Sequence, residues 1–509
     1  MQRRRFLRLM GEGALGLTVA TSRGAEPPQQ PGPRPNILLI MSDEHNASVL
    51  GANGNRLVQT PALDRLAAHG VSFDACYCNS PLCVPSRESF LSGKYVSRTG
   101  VWANSCELPR ADIPTVPSLL NAAGYESFLC GKMHLAAGRR YGYTDVGGDF
   151  NTNVKNGRGN RRVPDNLPEK GLSDRFDAFH TGDHSSILEH DLAVTKGAVG
   201  FLKDRPADGK PFFLTVGYLA PHFPLIVPEK YWKTYENRVP MPAIPPGYLD
   251  ALPLNYKHLR AGFRMTHVPE DVVKRGRELY YGLTQWLDEQ VGQVLAALAA
   301  STAAANTVVV YSSDHGENMG EHGLWWKNAV YDTAARVPLI VSSPDRWTGG
   351  TRRTGACSLV DLSRSLVELG GGAAPADWDG ASLLPLLARA DAPWRDLAVS
   401  EYYAHNIASG YVMLRRGSFK YTYHTPPDDQ HPAERELYDL RSDPGELHNL
   451  AADPAHAGTV AALHAALLAE LKEHPDQTER RARADLAKGY PAPIGRGQGK
   501  GRRKGEDEA

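Results

Sequence analysis

Four short apolar runs of the sequence end in side chains that can bind a metal ion or an anion. Each run is followed directly by aspartate, glutamate, lysine or histidine. These side chains are Asp43 and Glu44 after NILLIMS, Lys132 and His134 after YESFLCG, His222 after PFFLTVGYLAP, and Asp314 and His315 after NTVVVYSS. One such coincidence would be ordinary polarity at a protein surface, whereas four of them favour a shared site.

The carboxylates in this set indicate a metal site. Two of the run ends together offer three carboxylates and one imidazole, from Asp43, Glu44, Asp314 and His315. Carboxylate-rich sets of this kind suit a hard divalent cation such as calcium or magnesium. An Asp-His pair after a strand is by itself more often a turn, so the metal prediction depends on the second run end.

Cationic donors accompany the carboxylates. Lysine and histidine can neutralise an anionic substrate and the charge that develops in its transition state. The donors are Lys132, His134, His222 and Lys327. A metal site beside lysines and histidines indicates an enzyme that acts on a sulfate or phosphate ester.

One cysteine stands in an unusual setting, because Cys83 lies one residue before Pro85-Ser86-Arg87. A disulfide partner, a metal ligand, a nucleophile and a buried small side chain are all possible there. Six cysteines in 509 residues are too few for a disulfide scaffold, and Cys76-x-Cys78 lacks the CxxC spacing of a zinc site. The residues alone leave these alternatives open.

The elements that would position these residues follow from the apolar pattern. Short continuous apolar runs predict strands buried on both faces of a mostly parallel sheet, and 337–341 (VPLIV) is a further candidate. Helical patterns lie between the runs, most clearly at 271–300. We therefore predict an α/β fold, a large mostly parallel sheet flanked by helices. Ligands of such sheets bind beyond the carboxyl ends of the strands, where the four run ends would meet.

A second pattern starts near residue 386. Residues 411–424 predict a β-hairpin that turns at Arg416-Gly417, and 436–450 add a short strand and a turn. A helix follows, with an apolar stripe of Val460, Leu463, Leu467 and Leu471. We expect 386–475 to form a small antiparallel sheet with one helix, packed against the catalytic domain at 36–385. Residues 476–509 are predicted to be a flexible tail.

The N-terminus and the overall charge bear on location and partners. RRRFLRLMGEGALGLTVA predicts a twin-arginine export signal over 1–26, followed by a linker at 27–35, so we expect a periplasmic protein. No later stretch reaches the roughly 18 apolar residues of a membrane span. The 57 basic and 57 acidic residues give no net charge, which argues against a nucleic-acid partner.

The segment CVPSRESFLSG (83–93) resembles the signature of sulfatases: Cys, a small residue, Pro-Ser-Arg, three residues, then Leu-Ser/Thr-Gly. Further segments extend the likeness over the chain, namely NILLIMSDEHN, GKMH, PHFP, SSDHGENMGEHGLWWK and ELYDLRSDPGELHNL. Together they resemble type I sulfatases of the alkaline-phosphatase superfamily. The resemblance implies that a maturation enzyme reads the Cys-x-Pro-x-Arg segment in the unfolded chain and oxidises Cys83 to formylglycine.

The resemblance also implies roles for the other candidates. Hydrated formylglycine presents two geminal hydroxyls, one of which, activated beside the metal, attacks sulfur. His222 or Lys327 protonates the leaving alcohol, and His134 takes a proton from the second hydroxyl as sulfate is expelled. The sulfate or the gem-diol is held by Lys132, Lys327 and Arg87. The implied metal ligands are Asp43, Glu44, residue 83, Asp314 and His315, with calcium expected and magnesium or manganese possible.

Two positions differ from the common arylsulfatase pattern and bear on the substrate. Many arylsulfatases have Asp-Asp where this chain has Asp43-Glu44, and Asp-Asn where it has Asp314-His315. The Asp-His form is more similar to choline sulfatases and to phosphonate monoester and phosphodiester hydrolases. A sulfatase of sugars or glycans is the first hypothesis, a small-ester hydrolase of those kinds the second. A non-catalytic carbohydrate-binding relative is the third, and the intact site residues speak against it.

Substrate specificity is expected from segments outside these motifs. They are the loops at 136–190 and 223–270 and the C-terminal unit. The candidates to face the site are RFDAFHTGDHSS (175–186) in the first loop and Tyr402, Tyr403 and His405 in the C-terminal unit. The motifs specify neither the sulfated substrate nor the oligomeric state.

Overall fold

Strands and helices alternate along most of the chain. The computed structural model describes residues 34–152, 171–206 and 209–488. The strands are β1 (Asn36–Asp43), β2 (Gly70–Phe73), β3 (Cys76–Tyr77), β4 (Glu126–Gly131), β5 (Thr144–Asp145), β6 (His180–Thr181), β7 (Phe212–Pro221), β8 (Ile226–Val227), β9 (Thr307–Ser313), β10 (Arg336–Val337), β11 (Leu339–Ser342), β12 (Thr351–Arg353), β13 (Cys357–Ser358), β14 (Leu397–Tyr402), β15 (Tyr411–Arg416), β16 (Phe419–His424) and β17 (Glu434–Asp439).

The α-helices connect these strands and cover the main sheet. They are α1 (Pro61–Ala68), α2 (Cys83–Ser92), α3 (Val96–Thr99), α4 (Val116–Ala122), α5 (Ser186–Asp204), α6 (Glu229–Tyr235), α7 (Tyr248–Ala251), α8 (Leu254–Gly262), α9 (Glu270–Ala299), α10 (Asp332–Ala335), α11 (Leu359–Leu369), α12 (Leu384–Ala388), α13 (Ala457–Leu471) and α14 (Pro475–Lys488). Short 3-10 turns lie at Gly51–Asn53, Asp174–Ala178, Ala304–Asn306, Glu321–Gly323 and Pro454–His456. No helix within the described ranges is long and apolar enough to cross a membrane.

The main sheet confirms the predicted α/β fold. Its strand order is β12-β2-β11-β9-β1-β7-β4-β5, and β9, β1, β7, β4 and β5 run parallel. All four predicted apolar runs lie in this parallel part, whereas the candidate strand VPLIV is divided: Val337 ends β10, and the residues from Leu339 onward form β11, which pairs antiparallel with β9. Every residue of β7 and β9 is buried, since helices cover the sheet. The continuous apolar runs are therefore explained by burial on both sides of the sheet.

The helices pack against this sheet in two groups. The long helix α9 contacts α1, α5 and α6, while α2 contacts α4 and α11. The apolar stripe predicted for 271–300 is buried in α9, including Leu279, Leu283 and Leu287. The second group matters for the site, because all ten residues of α2 are buried and its first residue is Cys83.

The C-terminal unit is the predicted small antiparallel sheet with its helix. Strands β14, β15, β16 and β17 pair in chain order, and Gly417 turns the hairpin between β15 and β16 with a φ of 58°. Helix α13 packs on β15 and β16 and buries Leu463, Leu467 and Leu471. The domain boundaries at residues 385 and 475 stay a prediction.

The flexible tail predicted for 476–509 is wrong for its first part. Residues Pro475–Lys488 form α14, which buries Thr478, Glu479 and Ala482. The Glu479 carboxylate accepts a hydrogen bond from the Gly410 amide at 2.9 Å. A few buried residues at helical spacing hold the helix, although most of its side chains are charged. Residues 489–509, like the predicted export signal and most of the linker at 1–33, lie outside the described residues.

Candidate active site

The carboxyl ends of four parallel strands bring the predicted residues together. Asp43 ends β1, Asp314 and His315 follow β9, Lys132 follows β4 and His222 follows β7. All of these are fully buried, as are Glu44, Cys83 and Arg87, while His134 and Lys327 are 3% and 7% exposed. Because parallel strands end on the same edge of a sheet, residues that are far apart in sequence meet there.

Cys83 faces the carboxylate-bearing strand ends from the first turn of α2. Its Sγ atom lies 3.3 Å from His315 Nε2 and 3.8 Å from Asp43 Oδ1. All six cysteines are free and buried, which excludes a disulfide at Cys83 in this structure. Burial, with a contribution from the Asp43 charge, raises the pKa of the thiol to about 11. Burial thus favours the protonated thiol as long as no cation is bound beside it.

Four side chains form a candidate metal centre. One ligand atom from each of Asp43, Cys83, Asp314 and His315 lies within 4.8 Å of the others. His315 Nδ1 donates to the Gly316 carbonyl at 3.0 Å, which leaves Nε2 turned toward Asp43 and Asp314, at 3.8 and 3.7 Å from their Oδ1 atoms. Two carboxylates, one imidazole and a ligand at residue 83 fit a divalent cation.

Arg87 lies behind this centre and bridges its two aspartates. Its guanidinium contacts Asp43 Oδ2 at 3.0 Å and Asp314 Oδ2 at 2.8 Å, and it donates to the Lys132 carbonyl at 3.0 Å. Lys132 Nζ lies 2.7 Å from the same Asp43 oxygen. Burial alone would raise the pKa of Asp43, but Lys132, His222 and Arg87 hold it well below its usual value. The Oδ1 atoms of both aspartates are thus left toward Cys83 and His315.

Lys327 and His222 form a second pair at the same edge. Lys327 Nζ donates to His222 Nε2 at 2.6 Å, and His222 Nδ1 donates to the carbonyl of Phe223. Burial, together with the Lys327 charge, lowers the pKa of His222 well below its usual value. Burial opposes the charge on Lys327, but Cys83, Glu44 and Asp43 raise its pKa. The pair therefore consists of a charged lysine and a neutral imidazole, and the lysine carries the proton that can be given away.

Glu44 lies between the metal centre and this pair. Its backbone is left-handed, with a φ of 68°. Two hydrogen bonds fix this conformation: the Glu44 amide donates to Asp314 Oδ1, and the Glu44 carbonyl accepts from the Tyr280 hydroxyl. Its carboxylate lies 3.4 Å from His222 and 3.6 Å from Lys327, yet it accepts no hydrogen bond from a described residue. Burial raises its pKa to about 8. A buried carboxylate with unfilled acceptor positions fits a nearby cation.

His134 offers a neutral imidazole at the end of β4. It has a φ of 57°, and its Nδ1 atom has no hydrogen-bond partner among the described residues. Burial and the charges of Lys132 and Arg87 lower its pKa well below the usual value. A neutral imidazole of this kind can accept a proton.

Several positioning residues were missed from the sequence. Ser86 Oγ donates to the Asp314 carbonyl at 2.6 Å and ties α2 to the end of β9. Glu317 accepts from the amides of Met319 and Trp326 at 2.8 and 2.6 Å, which shapes the loop that carries Lys327. Neither residue follows an apolar run or belongs to a metal-ligand pattern, so the only signal in the sequence was that Ser86 lies in CVPSRESFLSG and Glu317 in SSDHGENMGEHGLWWK, two segments that resemble sulfatases.

The three candidate specificity residues of the C-terminal unit differ in how deeply they are buried and in which rings they contact. Tyr402 and Tyr403 are fully buried, and Tyr403 packs edge-on against Trp102 with the ring centroids 5.3 Å apart. His405 is half-buried and packs against Phe263 at 5.5 Å.

Comparison with known families gives two matches. Residues 35–372 match the family model described as Sulfatase. Residues 320–474 match the one described as N-sulphoglucosamine sulphohydrolase, C-terminal.

Individual relatives cover nearly the whole chain. The choline-sulfatase of Rhizobium meliloti is 29% identical and covers 83% of this chain and 83% of its own. The N-acetylglucosamine-6-O-sulfatase of Bacteroides thetaiotaomicron is 26% identical, with 91% of each chain covered. The crystal structure of a phosphonate monoester hydrolase from Agrobacterium radiobacter superposes with a TM-score of 0.69 at 23% identity, covering 86% of this chain and 96% of that one. This last similarity shows the fold.

Proposed function

Since the chain belongs to the sulfatase family, within the alkaline-phosphatase superfamily, we propose that it hydrolyses a sulfate ester of a carbohydrate through a formylglycine formed from Cys83. Its activity as a sulfuric ester hydrolase follows from that membership. The observation that carries the formylglycine proposal is the setting of Cys83. Its Sγ atom lies 3.3 Å from His315 Nε2 and 3.8 Å from Asp43 Oδ1, at the strand ends where the other site residues meet.

A modified residue 83 would supply what the thiol lacks. Hydrated formylglycine offers one hydroxyl as the nucleophile and a second whose deprotonation releases sulfate. A serine in its place would keep the sulfate as an ester that water must hydrolyse. The maturation enzyme that forms the aldehyde is a proposed partner, recognising Cys83, Pro85 and Arg87.

The metal is proposed to be held by Asp43, Asp314, His315 and residue 83, with Glu44 as a further candidate. A divalent cation there would lower the pKa of a neighbouring hydroxyl and polarise the sulfate oxygens. Calcium is the proposed ion, because the set is rich in carboxylate oxygens. Arg87 orients Asp43 and Asp314 from behind, so their Oδ1 atoms stay toward the cation.

Proton transfers are assigned to the chain's own residues. Lys327, charged and 2.6 Å from His222, can protonate the leaving alcohol, while neutral His222 accepts a hydrogen bond from Lys327 and orients its Nζ atom. His134, neutral and buried, is suited to accept the proton of the second hydroxyl. Lys132 and Lys327 supply positive charge for the sulfate oxygens.

A carbohydrate ester is favoured over the second candidate class. The N-acetylglucosamine-6-O-sulfatase covers 91% of each chain, and the match to the N-sulphoglucosamine sulphohydrolase C-terminal model extends over 320–474. The alternative is a small ester such as choline sulfate, or a phosphonate or phosphodiester, favoured by the Asp314-His315 pair and the choline-sulfatase relative. Export to the periplasm is part of the proposal and depends on the arginines at 3–5.

Release of inorganic sulfate tests the proposed function. Protein co-expressed with a formylglycine-generating enzyme is assayed by ion chromatography of released sulfate on sulfated mono- and oligosaccharides and choline sulfate, and by release of the alcohol from a phosphodiester. We expect the highest kcat/KM on a sulfated sugar and no turnover by Cys83→Ala. A higher kcat/KM on choline sulfate or the phosphodiester would favour the second class. No sulfate release by protein that carries the aldehyde would contradict the proposal.

A further inference from the structure

The residue that follows Lys327 is held on three sides. Asn328 is 2% exposed and has a left-handed backbone with a φ of 83°. Its backbone amide donates to the Pro81 carbonyl at 2.9 Å, and its side-chain amide donates to the Tyr402 hydroxyl at 2.8 Å. The Asn328 carbonyl accepts a hydrogen bond from the Tyr411 hydroxyl. Segments that are distant in sequence therefore fix the backbone next to Lys327.

The two tyrosines come from neighbouring strands of the C-terminal sheet. Tyr402 ends β14 and Tyr411 begins β15, and the two residues lie opposite each other in the antiparallel pairing. Both are fully buried, and their rings stack with the centroids 5.4 Å apart. The Tyr402 hydroxyl also donates to the His405 carbonyl at 3.1 Å, which orients its oxygen to accept from Asn328. The C-terminal sheet thus presents two hydroxyls to the one residue beside Lys327.

The third contact joins Asn328 to the segment that carries Cys83. Pro81 lies two residues before Cys83, and Leu82 between them is the N-cap residue of α2. The hydrogen bond from Asn328 to Pro81 therefore ties the position of residue 83 to that of Lys327. In the proposed reaction residue 83 attacks sulfur while Lys327 protonates the oxygen that leaves. Because both act on one sulfate group, the rate depends on how precisely they are held relative to each other.

We infer that Asn328 is a positioning residue that holds Lys327 in place to protonate the leaving alcohol, and that Tyr402 and Tyr411 extend this support to the C-terminal sheet. The inference rests on the proposed function and deepens it. A lysine carries its charge on a long flexible stem, so its Nζ atom is well placed only if the backbone at its base is fixed. Asparagine suits this position because it tolerates a left-handed backbone and adds a side-chain donor that glycine lacks.

Dependence on the leaving group separates positioning of the acid from general support of the fold. The anion of 4-nitrophenol leaves readily without a proton, whereas the more basic phenolate of phenyl sulfate gains more from protonation. A misplaced general acid therefore lowers kcat/KM for phenyl sulfate more than for 4-nitrophenyl sulfate. A loss of folded protein lowers both values equally. The ratio of the two, 4-nitrophenyl over phenyl sulfate, is therefore the quantity to measure.

The ratio is measured by phenol release, with activity expressed per aldehyde at position 83, for the full chain and for Lys327→Ala, Asn328→Gly and Tyr411→Phe. Asn328→Gly retains a residue that adopts positive φ and removes the hydrogen bond to Tyr402. Tyr411→Phe removes only a hydroxyl. We expect the ratio to rise about tenfold or more in Lys327→Ala, since general acids contribute ~10²–10⁴-fold, and about threefold or more in the other two variants.

Tyr421→Phe is the matched control. Tyr421 is also a fully buried tyrosine of the C-terminal sheet, but its hydroxyl pairs with His464 of α13 at 3.1 Å. This variant should keep the ratio within about twofold of the wild type, because its hydroxyl supports a helix away from Lys327.

The contrary results distinguish the inference from the proposed function. The inference is overturned if the ratio rises in Lys327→Ala but stays at the wild-type value in folded Asn328→Gly or Tyr411→Phe, or if it rises equally in Tyr421→Phe. Should Asn328→Gly fail to fold, Tyr411→Phe decides alone. An unchanged ratio in Lys327→Ala would instead contradict the proposed role of Lys327 as the acid. An aldehyde-bearing wild type that cleaves neither sulfate would contradict the proposed function, and the inference with it.

Discussion

At the scale of single residues, Arg87 does more than complete the segment that a maturation enzyme would read. Its guanidinium is fully buried and contacts the Oδ2 atoms of Asp43 and Asp314. Without it, two buried carboxylates would lie close together, and Lys132, 2.7 Å from Asp43, would be the remaining lysine or arginine paired with either of them among the described residues. Arg87 therefore makes the metal centre possible before any metal binds, which is a positioning role.

Replacing Arg87 with lysine tests this role. Lysine keeps the charge but cannot bridge two carboxylates in a fixed fork. We expect kcat/KM to fall by about a hundredfold or more, because the aspartates lose their common support. Since Arg87 also belongs to the segment read during maturation, aldehyde content must be measured by mass spectrometry and activity expressed per aldehyde. Wild-type activity per aldehyde in Arg87→Lys would contradict the positioning role.

Metal binding is the second residue-scale prediction. In protein stripped with a chelator, added calcium should raise the melting temperature, because an ion that binds only the folded state stabilises it by about 2.7 kcal/mol at a hundred times its Kd. Asp314→Asn should abolish most of the shift. Asp174→Asn, which alters an exposed carboxylate, should retain it. An unchanged melting temperature of the wild type with calcium, magnesium and manganese would contradict the metal assignment.

At the scale of elements, α2 is the most constrained helix of the site. Every one of its residues is buried, including the carboxylate of Glu88, whose oxygens accept no hydrogen bond from a described residue. Burial raises the pKa of Glu88 to about 8, with Glu107 adding to the effect. The helix that carries Cys83 thus contains a carboxyl group that is protonated in the folded chain at neutral pH.

This carboxyl group gives a pH-dependent stability. The unfolded chain releases the Glu88 proton at pH ~4.3, whereas the folded chain releases it only near pH 8. The free energy of unfolding therefore falls as the pH rises between these two values. Glu88→Gln should match the wild type in free energy of unfolding near pH 5 and exceed it at pH 8.5, by a few kcal/mol at most, at ~1.4 kcal/mol per pKa unit. Glu229→Gln, at an exposed site of α6, is the control. A gap for Glu88→Gln that does not widen with pH would refute this.

Which elements could be predicted depended on how they are buried. The parallel strands could be predicted because burial on both faces requires a continuous apolar run. The ends of these strands could be predicted because polar residues interrupt such runs. By contrast, α14 was missed because it is anchored by Thr478, Glu479 and Ala482 among charged side chains. The guanidinium of Arg175 lies over the rings of Phe223, Phe263 and Trp326. These contacts join segments that are distant in sequence, so no local sequence pattern predicts them.

At the scale of the whole molecule, the C-terminal sheet is joined to the catalytic part through buried polar contacts. Asn79 forms two hydrogen bonds with β14: its side-chain amide donates to the Val399 carbonyl at 3.0 Å, and its backbone carbonyl accepts from the Glu401 amide at 2.9 Å. Lys420 of β16 pairs with Asp332 at 2.9 Å. Because these contacts join the C-terminal sheet to the catalytic part, we expect the two parts to unfold in a single transition.

Helix α14 also makes polar contacts with other parts of the chain. Asp485 accepts from the Trp102 indole at 2.9 Å, and Arg483 donates to the Ala408 carbonyl at 2.7 Å. A chain that ends at residue 474 should therefore melt several degrees lower than the full chain. A chain that ends at Lys488 keeps the helix and should melt like the full chain. Equal melting temperatures for the two shortened chains would show that α14 adds no stability.

The central claim is that Cys83 becomes formylglycine, and mass spectrometry of one peptide tests it most directly. Trypsin should release residues 66–87, which also contain Cys76 and Cys78 as internal thiol controls. After alkylation of active protein made with its maturation enzyme, we expect alkyl groups on Cys76 and Cys78 and a hydrazide-reactive aldehyde at position 83. Cys83→Ala should be folded and inactive, and Cys83→Ser should stop after one sulfuryl transfer at most. Fully active protein with an alkylated thiol at position 83 would contradict the account.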